Sequence, residues 1–397
     1  MNSTMQQPAY RSRQPVIVAL SGGVDSAVAA LVLQQAGHVV EGLFVVCWPS
    51  SDPSCSADLD FQEASAVAAD LGIVLHRVSL VEAYRSLVLD PFLAGLRQGL
   101  TPNPDLLCNQ AIKFGLLKAH ALRLGAAWFA TGHHARLERG TDGRVSLLRG
   151  ADADKDQSYF LATLGQGALR HTLFPIGHLT KEEVRAMARR HGLRNHDRHG
   201  TTGLCLVGPR RFDQFVHAHL PMPPGPIQTW EGHTLAQRHL GLARYTIGQR
   251  AGLGLGAIKG VGDGPWFVAD KRLEDNALVI VSGENHPALY RSMALCQEAH
   301  WIGQAPSLQQ PLAARIRYRQ ESQSCMVHPT PGGGLVVHFE RPQRALTPGQ
   351  AIVFYEGAVC LGAAMIQESL SMPQENDPNP FCNNHAAACR HATLEIT

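Results

Sequence analysis

The apolar run VIVAL (16–20) passes into Ser21-Gly22-Gly23-Val24-Asp25-Ser26 and then into AVAALVLQQAG, a helix-forming stretch that stops at Gly37. A buried strand turning into a helix through glycines leaves the first helical N–H groups unpaired, and the helix dipole points with them at any anion placed there. Glycines let a phosphate approach the backbone, and the hydroxyls of Ser21 and Ser26 add donors. An ordinary capped turn would account for the glycines alone, but not for two serines and Asp25 beside them. The pattern GxxxxGK[ST] is absent, so this loop is expected to hold a pyrophosphate rather than prepare transfer of a γ-phosphoryl group.

Further apolar strands are expected at 39–46, 73–80 and 127–134, with helical stretches such as FQEASAVAADLG between them. That alternation predicts an α/β N-terminal domain built on a parallel sheet covered on both faces. After about residue 212 the helical periodicity stops. PMPPGP and the Gly-rich GLGLGAIKGVGDGP intervene, and from 266 onward short β-type runs separated by turn residues predict a small antiparallel β-barrel.

The 397 residues are 45% hydrophobic, enough for several well-filled cores, and no apolar run reaches the length of a membrane span. No membrane partner and a cytoplasmic location are expected. The acid-free start, with Arg11 and Arg13, is read as a disordered leader rather than a transit segment. Nine cysteines without dense spacing suit reduced thiols. The net charge of +2 announces no nucleic acid, yet residues 185–211 hold seven arginines and three histidines against one aspartate. Such a run is either a solvated face or an anion or RNA contact.

Two cysteines stand out. Cys108 follows the turn of TPNPDLLCNQ near a helix start, where the dipole favours thiolate, and Asp105 three residues earlier supplies a carboxylate to move protons. Cys205 sits between glycines in GLCLVG, after the arginine-rich run. Each taken alone reads as a small buried hydrophobe or as a reactive thiol. A zinc or iron–sulfur site needs about four ligands, and neither cysteine has a CxxC companion. In the tail, Cys382, His385, Cys389 and His391 have only loosely ligand-like spacing.

SGGVDS resembles the PP-loop of enzymes that cleave ATP to AMP and pyrophosphate while adenylating a carbonyl oxygen. With TPNPDLLCNQAIKFG, TGHHAR, DADKDQSYFL, FPIGHLTKEEVR, GLCLVG, YTIGQRAGLGLG, PWFVADK, RIRYRQ and LTPGQAIVFYEGAVCLG in order, the chain resembles the tRNA-specific 2-thiouridylase family from about 16 to 366. The resemblance implies an adenine nucleotide alpha hydrolase-like domain over 15–211, after a leader at 1–14. A central tRNA-binding domain (212–285), a β-barrel (286–370) and a polar tail (371–397) follow. It makes Cys108 the nucleophile, Cys205 the persulfide carrier, and Asp105 the acid/base group, with a Cys108–Cys205 disulfide closing the cycle. ATP would meet Ala19, Leu20, Ser21, Gly22, Gly23, Val24, Asp25, Ser26, Val45 and Gly132, with Asp25 helping to hold Mg²⁺. Contacts with tRNA would come from Asn103, Pro104, Asp105, His133, Lys155, Asp156, Gln157, Arg317, Tyr318 and Gln350. The family's usual GICFIG reads GLCLVG here, and Val46-Cys47 replace basic or amide residues, leaving Cys47 a bystander thiol near ATP.

The chemistry needs two thiols. Replacing the C2 oxygen of the wobble uridine by sulfur requires adenylation to make that oxygen a leaving group, and a sulfur nucleophile to displace it. A persulfide supplies the sulfur, and a second thiol breaks the S–S bond so that the sulfur stays on the base. Release of hydrosulfide by Cys108 before attack would use the same residues. The expected partners are therefore tRNA and a persulfide carrier or cysteine desulfurase, acting on a monomer. Two other readings use fewer of these features. A PP-loop ligase or amidating enzyme needs no paired cysteines, and an RNA-binding module with a vestigial nucleotide loop needs neither Asp105 nor either thiol.

Overall fold

The computed structural model describes residues 14–49, 57–197, 212–250, 252–258, 264–297 and 299–370. Cys205, the leader and the tail with Cys382, His385, Cys389 and His391 lie outside them. Strand β1 (Pro15–Ala19) is the middle of a five-stranded sheet with β2 (Val39–Val46), β3 (Leu75–Ser79), β4 (Trp128–Ala130) and β7 (Thr172–Leu173), in the order β3-β2-β1-β4-β7. Its pairings are all parallel, with Val16 opposite Val40 on one side and Trp128 on the other. A central parallel strand is covered on both faces, which explains why Val16, Ile17 and Val18 form an unbroken apolar run. Helix α1 (Val24–Gln35) lacks a polar stripe for the same reason: it lies between the sheet and the helix Lys181–Arg190.

The chain beyond forms two β units. One is a four-stranded sheet, with β8 (Gly225–Thr229), β9 (Thr234–His239), β10 (Trp266–Arg272) and β11 (Ala277–Ser282) in the order β10-β11-β8-β9. The runs WFVAD and ALVIVSG thus belong here rather than to the barrel. In the other, β12 (Tyr290–Cys296), β14 (Leu312–Arg315), β15 (Gln323–Pro329), β16 (Leu335–Arg344), β17 (Ala351–Glu356) and β18 (Val359–Leu370) pair antiparallel in a ring. Contact of β12 with both β16 and β18 closes it into a barrel with no open edge. The intervening β13 (His300–Trp301) adds to β18.

One connection was not visible in the sequence. The hairpin β5 (Ala135–Arg139) and β6 (Val145–Arg149), which lies inside the N-terminal segment, joins the barrel sheet by pairing Leu148 with Val359 and Leu147 with Cys360. A single apolar core consequently runs from Ile17 and Phe129 of the parallel sheet through Leu147 and Tyr159 to Val353 and Tyr355 of the barrel.

Asp156 locks that junction. Its carboxylate, 2% exposed, accepts from the backbone N–H groups of Gly150 and Ser158 at 3.0 Å and pairs with Arg315 Nη1 at 3.0 Å across the two units. The phenol of Tyr159 donates to the Ala351 carbonyl at 2.9 Å nearby. Removing one member of a buried pair strands the other charge, so Arg315→Met is expected to cost about 3–5 kcal/mol. A urea melt should register this as a lower midpoint; an unchanged midpoint would show that the pair does not hold the barrel in place.

Candidate active site

Strand order sets the location of the site. The chain leaves β1 toward β2 and β3 on one side, whereas β4 and β7 lie on the other, so a crevice opens at the carboxyl ends of β1 and β4. The Ser21–Ser26 loop follows β1 and the TGHH turn follows β4, which puts both on this crevice. Ser21 N–H donates to Ser26 Oγ at 3.2 Å, and Ser26 Oγ donates to the Gly23 carbonyl at 2.9 Å. Gly23 is the N-cap of α1, and no side chain caps it, so the first N–H groups of the helix keep the capacity to bind an anion.

The TGHH turn is pressed against this loop. A Cβ on Gly132 would lie 2.6 Å from both Asp25 C and Ser26 N, a distance only glycine permits. Asp25 itself meets Lys181 Nζ at 2.6 Å and His134 Nε2 at 3.4 Å. Burial alone would raise its carboxyl, but His134 and Lys181 together hold it below the usual aspartate value. It is ionised at neutral pH. On the other side Asn195 Nδ2 donates to the Gly22 carbonyl at 2.8 Å. Lys181, His134 and Asn195 were not singled out from the sequence. Lys181 lay in the block FPIGHLTKEEVR without a role, and its partner is 156 residues away.

Ala19 and Val45 are half-buried and pack on the core shared with the barrel, and Leu20 is buried in the core under α1. Among the described residues no group of three or more His, Cys, Asp or Glu side chains could hold a metal by itself. A lone carboxylate such as Asp25 suits a magnesium ion that arrives on substrate phosphates, because this ion is commonly held by one or two carboxylates plus phosphate oxygens.

The second part of the site is the segment that contains Cys108. Asn103 caps a helix at Pro104–Leu107 by accepting from Asp105 N–H at 3.0 Å, and Cys108–Leu117 continues it with π-helical bonding. Such widened turns are rare and recur at functional sites. Asp105 and Cys108, three apart, share a face of the helix. Cys108 is 4% exposed and packs among Tyr84, Phe92, Ile112 and Phe215, with Cys47 at the edge of the same cluster. Next to it, Phe92, Thr101, Pro102, Asn103, Phe212, Thr246 and Gln350 line a cavity of about 250 Å³. All three parts of the chain contribute to its walls. Gln350 Nε2 donates to the Thr101 carbonyl at 2.5 Å, and Lys271 Nζ lies 3.4 Å from Thr101 Oγ1, so the barrel and the central sheet both grip the turn that leads to Cys108.

The other expected RNA contacts are dispersed. His133 is buried between Phe114 and Phe174, bonded to Thr131 Oγ1 at 2.8 Å, and burial drives its pKa well below the ordinary value. Asp156 is the interior partner of Arg315. In this structure neither side chain is open to a macromolecule. Gln157 accepts from His134 N–H at 2.8 Å and steadies the TGHH turn, while Lys155 remains half-buried at the surface. Arg317 and Tyr318 do not lie in a strand as their sequence context suggested. They follow β14 in a turn where Arg317 donates to the Arg344 carbonyl at 2.6 Å and Tyr318 packs on Phe160.

Three family models match the chain in succession: the tRNA methyl transferase HUP domain at 14–209, the tRNA methyl transferase PRC-barrel domain at 213–282, and the aminomethyltransferase beta-barrel domain at 291–366. A tRNA-specific 2-thiouridylase MnmA of Alkalilimnicola ehrlichii is 50% identical over 357 residues, covering 89% of this chain and 97% of the relative. The same-named protein of Pseudomonas paraeruginosa is 46% identical, with 89% and 95% covered, and that of Chromohalobacter salexigens 45%, with 89% and 92% covered. Matches of this extent, over a chain with the PP-loop crevice and the Cys108 helix in place, establish that the protein belongs to the tRNA-specific 2-thiouridylase family.

Proposed function

We infer that this chain is a tRNA-uridine 2-sulfurtransferase, which uses ATP to activate C2 of the wobble uridine and replaces its oxygen by sulfur, releasing AMP and pyrophosphate. The observation that carries the reading is the three-walled cavity lined by Asn103, which caps the Asp105–Cys108 helix, and by Phe92, which packs in the Cys108 cluster, in a family whose named members are 2-thiouridylases. The methyl-transfer wording of two family models gains no support from the site: a methyl transferase has no use for a pyrophosphate loop.

In the mechanism we propose, the pyrophosphate of ATP lies on the N–H groups at the start of α1, with Ser21 and Ser26 adding donors, and Lys181 shields the negative charge of phosphates close to Asp25. The magnesium ion, held in part by Asp25, would neutralise phosphate charge when bound. The wobble base, splayed from the anticodon loop, enters the cavity against Pro102 and Asn103, with Gln350 fixing the turn, while Pro104, expected to meet the RNA, is buried. Its C2 oxygen attacks the α-phosphorus and pyrophosphate leaves. The terminal sulfur of a Cys205 persulfide then adds to C2, and AMP departs with the former oxygen. The Cys108 thiolate attacks the Cys205 sulfur, so that the S–S bond breaks toward the base and a Cys108–Cys205 disulfide forms. Asp105 moves protons beside Cys108. A persulfide carrier or desulfurase must reload Cys205 after reduction, and a cytoplasmic monomer fits these partners.

With ATP, Mg²⁺, unmodified tRNA and a persulfide donor, nucleoside analysis should detect 2-thiouridine, and AMP should accumulate in step. Cys108→Ser and Cys205→Ser are each expected to lower thiolation by about 10³-fold or more. Continued product formation by Cys205→Ser would instead favour the ligase or amidating alternative. Lys181→Met removes a charge-assisted interaction and is expected to raise KM for ATP by about 10- to 100-fold. Equal ATP affinity in titrations of both proteins would release Lys181 from this role.

A further inference from the structure

A second cavity, of about 390 Å³, is lined by Gly248, Arg250, Phe267, Glu284, Asn285 and Arg344. It lies between the central sheet, which gives Phe267 from β10, and the barrel, which gives Arg344 from the end of β16. Its walls are fixed. Gly248 N–H donates to the Val268 carbonyl at 2.7 Å, and a Cβ on Gly248 would come within 2.5 Å of Ala345 Cβ, so loop and barrel meet at van der Waals distance. Arg344 Nε donates to the Glu284 carbonyl at 3.1 Å, and its guanidinium lies 5.0 Å from the Phe267 ring centroid. One face of the guanidinium is thereby held in place by an aromatic ring.

We propose that this cavity binds a nucleotide of the same tRNA outside the reacting base, with Arg250 and Arg344 meeting its phosphate. The inference rests on the functional reading above, and three observations carry it. The two cavities share their supports: Thr246 lines the first and Gly248 the second, two residues apart on one loop, while Arg344 and Gln350 bracket one turn of the barrel. The walls of the two cavities are thus joined along two short segments, within the reach of neighbouring nucleotides of one polymer. Arg317 donates to the Arg344 carbonyl and extends the cationic strip onto the barrel. Finally, the lining carries two arginines against Glu284 as its one carboxylate, and Glu284 and Arg250 are both exposed, leaving a positive rim that a bulky anion can reach. Arginine suits this task, because its planar fork pairs with phosphate oxygens and its face can stack on an unstacked base.

The test is tRNA binding by fluorescence anisotropy across a salt series, with ATP-independent affinity as the readout. Removing one arginine–phosphate pairing should flatten the plot of log K against log salt by about 0.7–0.9, so Arg250→Gln should flatten it by one such step and weaken binding several-fold. The double variant Arg250→Gln/Arg344→Gln should flatten it by two, and Arg344→Lys, which keeps the charge, should restore most of the slope relative to Arg344→Gln. Because Arg250 is exposed, its variant tests the idea even if loss of Arg344 disturbs the cavity wall. Wild-type slopes in both Arg250→Gln and the double variant would overturn this inference alone. Wild-type protein that bound no tRNA would bring down the functional reading as well.

Discussion

The buried ion pair between Asp156 and Arg315 is the constraint on which the arrangement of the molecule depends. Among the described residues the parallel sheet and the closed barrel share no strand pairing of their own, and the β5–β6 hairpin and side-chain contacts orient one on the other. The pair does so at one point, because a carboxylate with 2% exposure tolerates only a partner of opposite charge in a fixed place. Around it Tyr159 reaches into the barrel, and the β5–β6 hairpin completes the seam by strand pairing. The polar interactions supply direction, and the apolar core they cross supplies most of the free energy.

Fixing the barrel in this way brings Gln350 to Thr101. The turn before Cys108 is then held by a barrel amide and by a lysine of the central sheet, so the cavity exists only when the three parts are assembled. Nucleotide and thiol chemistry are consequently built on different supports. The phosphate loop belongs to one strand–helix unit and forms from local sequence, whereas the cavity beside the Cys108 segment, where the base is proposed to enter, is a property of the whole chain.

That division also decides what could be read from the sequence. The strand and helix around SGGVDS were legible, because an unbroken apolar run, glycines and a helix start are all local signals, and the turn and helix start before Cys108 were legible for the same reason, though not the capping role of Asn103. The partnership of Lys181 with Asp25 was not, because periodicity carries no information across 156 residues. The β5–β6 hairpin read as part of the N-terminal unit since nothing local marks its pairing with Val359 and Cys360. Asp156, in the polar run DADKDQ, was expected to meet tRNA, and the barrel instead places Arg315 against it in the interior. Arg317 and Tyr318 alternated as strand residues would, yet β14 ends at Arg315 and releases them into a turn.

The helix Phe212–His219 bears on the proposed thiol cycle through its covalent reach. Phe212 sits edge-on to Phe92 at 6.3 Å, and Phe215 is buried in the cluster around Cys108, so this helix is docked against the Cys108 segment. Cys205 lies seven residues before Phe212 in the chain. Seven residues span at most about 25 Å even when fully extended. At the other end of the same stretch, Asn195 is bonded to the phosphate loop. On the role proposed for Cys205, the chain between Asn195 and Phe212 joins the phosphate loop to the cluster around Cys108, and its covalent length bounds how far that thiol can reach.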